Sequence, residues 1–182
     1  MRKLKLQMQI SLDGFVDVER IGPNWDNEIR HFSINNLKNV DCIALGRNTA
    51  EGLIPYWGGA AKNPKDADYK VGKAITNVPK TVFSNKLKTN PWANATIIKG
   101  DIVKEIKLLK KRKGKDIIVY GGCTFVSSLI KHGLVDEFYL LVNPVAVGRG
   151  NPIFSSIENN FRLKLVKSRS FKCGTVLLCY KK

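Results

Sequence analysis

Two stretches of this chain share one pattern. Residues 40–46, VDCIALG, and residues 116–122, DIIVYGG, are short apolar runs that end in glycine, and a helix-like segment follows each at once: RNTAEGL after the first, TFVSSLIKHG one residue after the second. Runs this short, rich in β-branched residues and closed by glycine, read as buried strands. A strand that passes directly into a helix is the first half of a βαβ unit. Repeated units of that kind give a mostly parallel sheet with helices packed on its faces.

The remaining segments extend this pattern. KLKLQMQIS at residues 3–11 alternates with period two and predicts a first strand, closed by the turn LDG. A helix is expected after Pro23, capped by Asn24 or Asp26, with Ile29, Phe32 and Leu37 at roughly helical spacing. Residues 54–79 are rich in Pro, Gly, Lys and Asp and predict a long loop. KTVFS and ATIIKG are further strands, DIVKEIKLLKKRKG at 101–114 is a capped amphipathic helix, and VDEFYLLVNPVAVG at 135–148 is a long strand. The end, from Arg162, gives two strands around KCG. No repeat or linker divides the chain. The expectation is a single α/β domain over residues 1–182, in three α/β/α layers, its mostly parallel mixed sheet ending in antiparallel strands.

Composition narrows the function classes. The chain is 43% hydrophobic, enough for a sizeable core, yet runs such as FYLLV at 138–142 are far too short to span a bilayer. The first residues alternate instead of forming a signal-peptide core. The four cysteines, Cys42, Cys123, Cys173 and Cys179, show no C-x-x-C spacing. Together these point to a reducing cytoplasm and no structural metal. Thirty-one Lys and Arg against fifteen Asp and Glu give a net charge of +16, a surface that attracts polyanions or phosphorylated ligands. The densest run, KEIKLLKKRKGK at 104–115, suits the exposed face and C-terminal end of a helix. It lacks the interleaved aromatics of a nucleic-acid stacking surface.

In open α/β sheets, ligands sit beyond the C-terminal ends of the strands. Both strand–glycine–helix junctions lie there. A helix start offers free N–H groups and a partial positive charge, and glycine lets a phosphate approach the backbone. Gly121-Gly122-Cys123-Thr124 forms one such junction, and Gly46-Arg47-Asn48-Thr49 the other. Two phosphate cradles on one sheet suit a dinucleotide, although the G-x-G-x-x-G fingerprint is absent. The same residues also suit a plain tight turn and a solvated arginine.

SLDGFVD at 11–17, DCIALGRNTAEGL at 41–53, TVFSNKL at 81–87 and the stretch from Val119 to Phe154 occur in an order and spacing that resemble the dihydrofolate reductase superfamily. The resemblance is strongest to the C-terminal reductase domain of bifunctional riboflavin-biosynthesis proteins. It implies NADPH as hydride donor, with Gly46, Arg47 and Thr49 at the phosphates. Ser84, Asn85 and Lys86 would lie near the adenosine and its 2′-phosphate, and Gly121, Gly122, Cys123 and Thr124 over the pyrophosphate, where the family often has a cis peptide between the glycines. It also implies a homodimer burying part of residues 135–147 or the loop after them, and a small heterocyclic substrate reduced at a C=N or ribosyl carbonyl-type bond. Neither H-x-E nor P-C-x-x-C occurs, so the deaminase half of the bifunctional proteins is not expected in this sequence.

On the substrate side the resemblance suggests Glu28 as the carboxylate of the first helix, and Asp13, in SLDG, as a second candidate. Glu28 equally suits the acidic first turn of a helix, and Asp13 the turn itself. Three function classes follow: a reductase of a pterin-like or pyrimidine-like ring, a non-catalytic nucleotide-binding protein on the same fold, and a basic nucleic-acid-binding protein. The cradle reading expects Gly122→Ala to weaken NADPH binding at least tenfold while the fold survives. The turn reading expects a lower melting temperature and an unchanged affinity.

Overall fold

The computed structural model describes all residues 1–182. Eight strands form one sheet: β1 (Leu4–Ile10), β2 (Val40–Gly46), β3 (Lys80–Phe83), β4 (Ala95–Ile98), β5 (Asp116–Tyr120), β6 (Glu137–Val142), β7 (Lys164–Ser170) and β8 (Val176–Lys181). Their order across the sheet is β4-β3-β2-β5-β1-β6-β8-β7. All pairings from β4 to β6 are parallel; β6 with β8 and β8 with β7 are antiparallel. The expected fold class is therefore the observed one.

Six helices accompany the sheet: α1 (Val18–Ile21), α2 (Asn27–Leu37), α3 (Arg47–Ala60), α4 (Tyr69–Asn77), α5 (Ile102–Lys111) and α6 (Cys123–Lys131). Helices α5 and α6 bury Ile106, Leu109, Phe125, Val126, Leu129 and Ile130 against one face, where they meet Leu4, Leu6, Met8 and Ile10 of β1. On the opposite face Leu37, Ala50, Val71 and Ile75 pack against Ile43, Leu45, Val82 and Ile118. Beside them, Ile29 of α2 packs against Leu141, Phe171, Leu177 and Cys179. The sheet thus has a helical layer on each side.

Two expected segments come out differently in the structure. The long loop expected over residues 54–79 is largely helix, because α3 runs through Pro55 to Ala60 and α4 follows from Tyr69. Proline in a helix interior removes one backbone hydrogen bond, a local penalty that packing can override. Here α4 buries Val71 and Ile75 in the core and packs closely on α3. The strand expected over 135–148 stops at Val142, ahead of Asn143 and Pro144. It lies between β1 and β8, so neither of its edges is open to a second copy. No helix is long and apolar enough to cross a membrane.

The α3–α4 contact depends on Gly72. A Cβ there would lie 2.8 Å from the Ala61 nitrogen and 2.9 Å from the Trp57 carbonyl oxygen. Backbone cannot give way as a flexible side chain can, so Gly72→Ala is expected to destabilise the protein by about 1–3 kcal/mol. Gly58→Ala in α3, where nothing lies within 4 Å, is expected to stabilise by roughly 0.5–1 kcal/mol. Thermal melting of both variants checks the pair; equal shifts would contradict the close packing of the two helices.

Candidate functional site

The C-terminal ends of β3, β2 and β5 lie side by side, since Phe83 pairs with Gly46 and Ala44 with Val119. Helices α3 and α6 therefore start next to one another. At this junction Thr49 meets the two glycines: a Cβ on Gly121 would lie 3.2 Å from Thr49 Cγ2, and one on Gly122 2.5 Å from Thr49 Oγ1. Both glycines adopt positive φ, +55° and +73°. The peptide between them is trans, since the chain contains no cis bond. An alanine at position 122 would be strained and would press on Thr49, so Gly122→Ala lowers stability under either reading of the glycines. A lower melting temperature therefore does not by itself separate the two readings; the NADPH affinity of the folded variant does.

The helix starts differ in a telling way. Helices α1, α2 and α5 are capped by the side chains of Asp17, Asp26 and Asp101. Helix α4 begins at Asp68, whose side chain makes no cap bond, and α3 and α6 begin at Gly46 and Gly122 with no capping side chain at all. Their first-turn N–H groups remain available to a ligand. Arg47 pairs with Glu51 one turn on, at 2.9 Å. Ser84 Oγ accepts the N–H groups of Lys86 and Leu87, and Asn85 Oδ1 accepts that of Gly100 at 2.7 Å, so both shape the turn after β3. Lys86 and Thr124 are exposed. The Cys123 thiol lies 3.6 Å from the Pro152 carbonyl oxygen. The structure thus gathers the suggested phosphate-side residues along one sheet edge.

A cavity of about 570 Å³ opens at Gly121 and Gly122, on the face covered by α2, α3 and α4. This size is ordinary for a small-molecule site. Gln7 and Gln9 of β1, Tyr120 of β5 and Leu141 of β6 line its sheet side; Trp25, Leu53, Tyr56 and Trp57 line its outer side. The ring centroids of Trp25 and Trp57 are 5.9 Å apart, and those of Tyr56 and Trp57 are 4.9 Å apart.

One carboxylate holds this aromatic wall. Asp68 is 7% exposed and sits at the start of α4. It accepts the Trp25 indole N–H at 2.8 Å, the Arg30 Nε–H at 2.5 Å and the Tyr56 hydroxyl at 3.1 Å. It thereby joins α2, α3 and the segment before α2. Sequence reasoning missed Asp68 because it lay in the presumed loop.

It missed Gln9 and Tyr120 for another reason. β1 is a central strand, so the polar half of its alternation faces the second helical layer instead of water. Gln7 is taken up there by Ser33 and Asn36. Gln9 is oriented by a short chain of bonds. The Asn24 N–H donates to Asn143 Oδ1, which leaves Asn143 Nδ2 to donate to Gln9 Oε1 at 2.8 Å. The Gln9 NH₂ group is then the free end, and it has no protein partner. The Tyr120 hydroxyl is the other buried side-chain polar atom without one. Burial raises the Tyr120 pKa, so the hydroxyl stays protonated. Both orphaned atoms belong to residues that line the cavity.

The two carboxylates suggested for catalysis are placed elsewhere. Glu28 accepts from Arg169 at 2.8 Å and from the Lys172 N–H at 3.1 Å, which ties α2 to the β7–β8 hairpin. Asp13 accepts from Ser11 Oγ at 2.6 Å and from the N–H groups of Val147 and Gly148 at 3.1 and 2.7 Å. Neither lines the cavity. Ser11, followed by the two backbone donors, lowers the Asp13 pKa to about 2. A carboxylate lowered in this way stabilises the fold above its unfolded pKa near 3.8, and the contribution is lost as pH falls through about 2. The amide NMR signals of Val147 and Gly148 are expected to titrate near pH 2; a midpoint near 4 would contradict the clamp.

Residues 2–177 match the family described as RibD C-terminal domain. The uncharacterized protein YyaP of Bacillus subtilis (strain 168) is 31% identical over 182 residues, covering 98% of this chain and 94% of that protein. YwjB of the same organism is 28% identical over 180 residues, covering 93% and 92%. Among solved structures, a putative riboflavin biosynthesis protein from Shewanella sp. PV-4 has a TM-score of 0.73 at 22% identity, covering 100% of this chain and 98% of its own. The Thermotoga maritima diaminohydroxyphosphoribosylaminopyrimidine deaminase/5-amino-6-(5-phosphoribosylamino)uracil reductase has a TM-score of 0.70 at 18% identity; the match covers 99% of this chain and 56% of that one. The uncapped glycine junctions, the cavity beside them and the match along nearly the whole length agree: the chain belongs to the RibD C-terminal domain family, with its dihydrofolate reductase-like reductase fold.

Proposed function

We propose that the protein is an NADPH-dependent reductase of a small heterocyclic molecule. The observation that carries this reading is the continuity of two differently built spaces. The cavity with its aromatic wall runs up to Gly121 and Gly122, and the two uncapped helix starts lie at that same end. A phosphate-bearing group and a flat ring can therefore lie next to each other.

The residues present fit a dinucleotide. The first-turn N–H groups of α3 and α6 would take the phosphates, and the glycines would keep side chains out of their way. Arg47 would exchange its exposed partner Glu51 for a phosphate at little cost, because surface pairs of this kind contribute only about 0.3–0.5 kcal/mol. Lys86, exposed and close to the end of β3, would meet the 2′-phosphate. When bound, the nicotinamide supplies a hydride. The chain's own part is to hold the ring against it, shield it with Trp25, Tyr56 and Trp57, and fix its orientation through Gln9 and Tyr120. Asp13 and Glu28 act as clamps on the surrounding loops in this reading.

Calorimetric titration tests the proposal. NADPH is expected to bind about tenfold more tightly than NADH, a difference of about 1.4 kcal/mol. Equal affinities would remove the role given to Lys86. Absence of binding by either at millimolar concentration would overturn the proposal.

A further inference from the structure

The chain carries thirty-one Lys and Arg residues, yet none of them lines the cavity, and neither does any Asp, Glu or His. Arg30 lies behind the aromatic wall, but its Nε is already bound to Asp68. A phosphate or carboxylate carried into this space would lose water without gaining a countercharge, which is strongly unfavourable. The two residues whose polar groups are left without partners are instead neutral, and both line the sheet side of the cavity. Gln9 offers an N–H donor whose orientation is fixed through Asn143, and Tyr120 offers a protonated hydroxyl that can donate or accept. Between them and the indoles of Trp25 and Trp57, the site provides an apolar slot with a small polar floor.

We infer that the cavity takes an uncharged, flat ring bearing a carbonyl oxygen or ring nitrogen that receives the Gln9 N–H, and selects it over a phosphorylated counterpart. This deepens the reductase reading and rests on the cavity being its substrate side. The preference separates this chain from any reductase whose substrate is recognised through a phosphate.

Quenching of tryptophan fluorescence tests the inference, with lumazine as the minimal ring and riboflavin and its 5′-phosphate as a matched pair. Titrations are run alone and again with saturating NADP⁺, so that a phosphate settling on the helix starts is recognised by its displacement. Lumazine and riboflavin are expected to bind saturably, and the 5′-phosphate at least tenfold more weakly than riboflavin. Tyr120→Phe removes a hydroxyl that has no partner in the protein, so its melting temperature is expected to be unchanged or raised, while lumazine binds at least fivefold more weakly. Equal or tighter binding of the 5′-phosphate overturns the inference, as does failure of both rings to bind or an unchanged lumazine affinity in Tyr120→Phe. Separate titration with NADPH distinguishes the two readings. Cofactor binding without ring binding defeats this inference alone; ring binding without cofactor binding defeats the reductase reading alone.

Discussion

The arrangement of the site depends on a contact that only glycine permits. β2 and β5 are neighbours in a parallel sheet, so the helices that follow them start side by side. Thr49 at one start reaches the backbone at the other, where Gly121 and Gly122 adopt positive φ and leave no Cβ in its path. With side chains there, the two starts would be forced apart. With glycines, their free N–H groups converge on one patch of the sheet edge. This explains why these two starts differ from those of α1, α2 and α5, where an aspartate occupies the same kind of position.

The second helical layer supplies the other half of the site. β1 is buried on both faces, but only one of them is apolar. Leu4, Leu6, Met8 and Ile10 enter the core with α5 and α6, while Gln7 and Gln9 point towards α2, α3 and α4. Buried amides need partners. Gln7 finds them in α2, whereas Gln9 is satisfied only at its oxygen. Asp68 fixes the wall opposite, and its burial with Arg30 resembles a structural ion pair that would be damaging to break on one side only. The result is an aromatic wall opposite a sheet face lined by two residues whose buried polar atoms have no protein partner.

Much of this was legible in the sequence. The glycine-ended strands announced the parallel sheet and its ligand edge, and the hairpin around KCG announced the antiparallel end. The α3–α4 hairpin was not legible, because Pro55, Gly58 and Gly59 lower local helix propensity and only tertiary packing restores it. That error hid Asp68, and with it the wall of the cavity. Glu28 and Asp13 were attractive as carboxylates at helix and turn positions, but local position does not say which way a side chain points. Tyr120 and Gln9 gave no signal as ligand groups, since their character comes from partners they lack in the folded chain.

The central claim is that the uncapped starts of α3 and α6 bind one ligand together. Hydrogen–deuterium exchange of the backbone amides of residues 47–49 and 123–125, with and without saturating NADPH, tests it most directly. The account predicts that both groups of amides become protected together on adding NADPH. Unchanged exchange in both, or protection confined to the basic surface of α5, would contradict it.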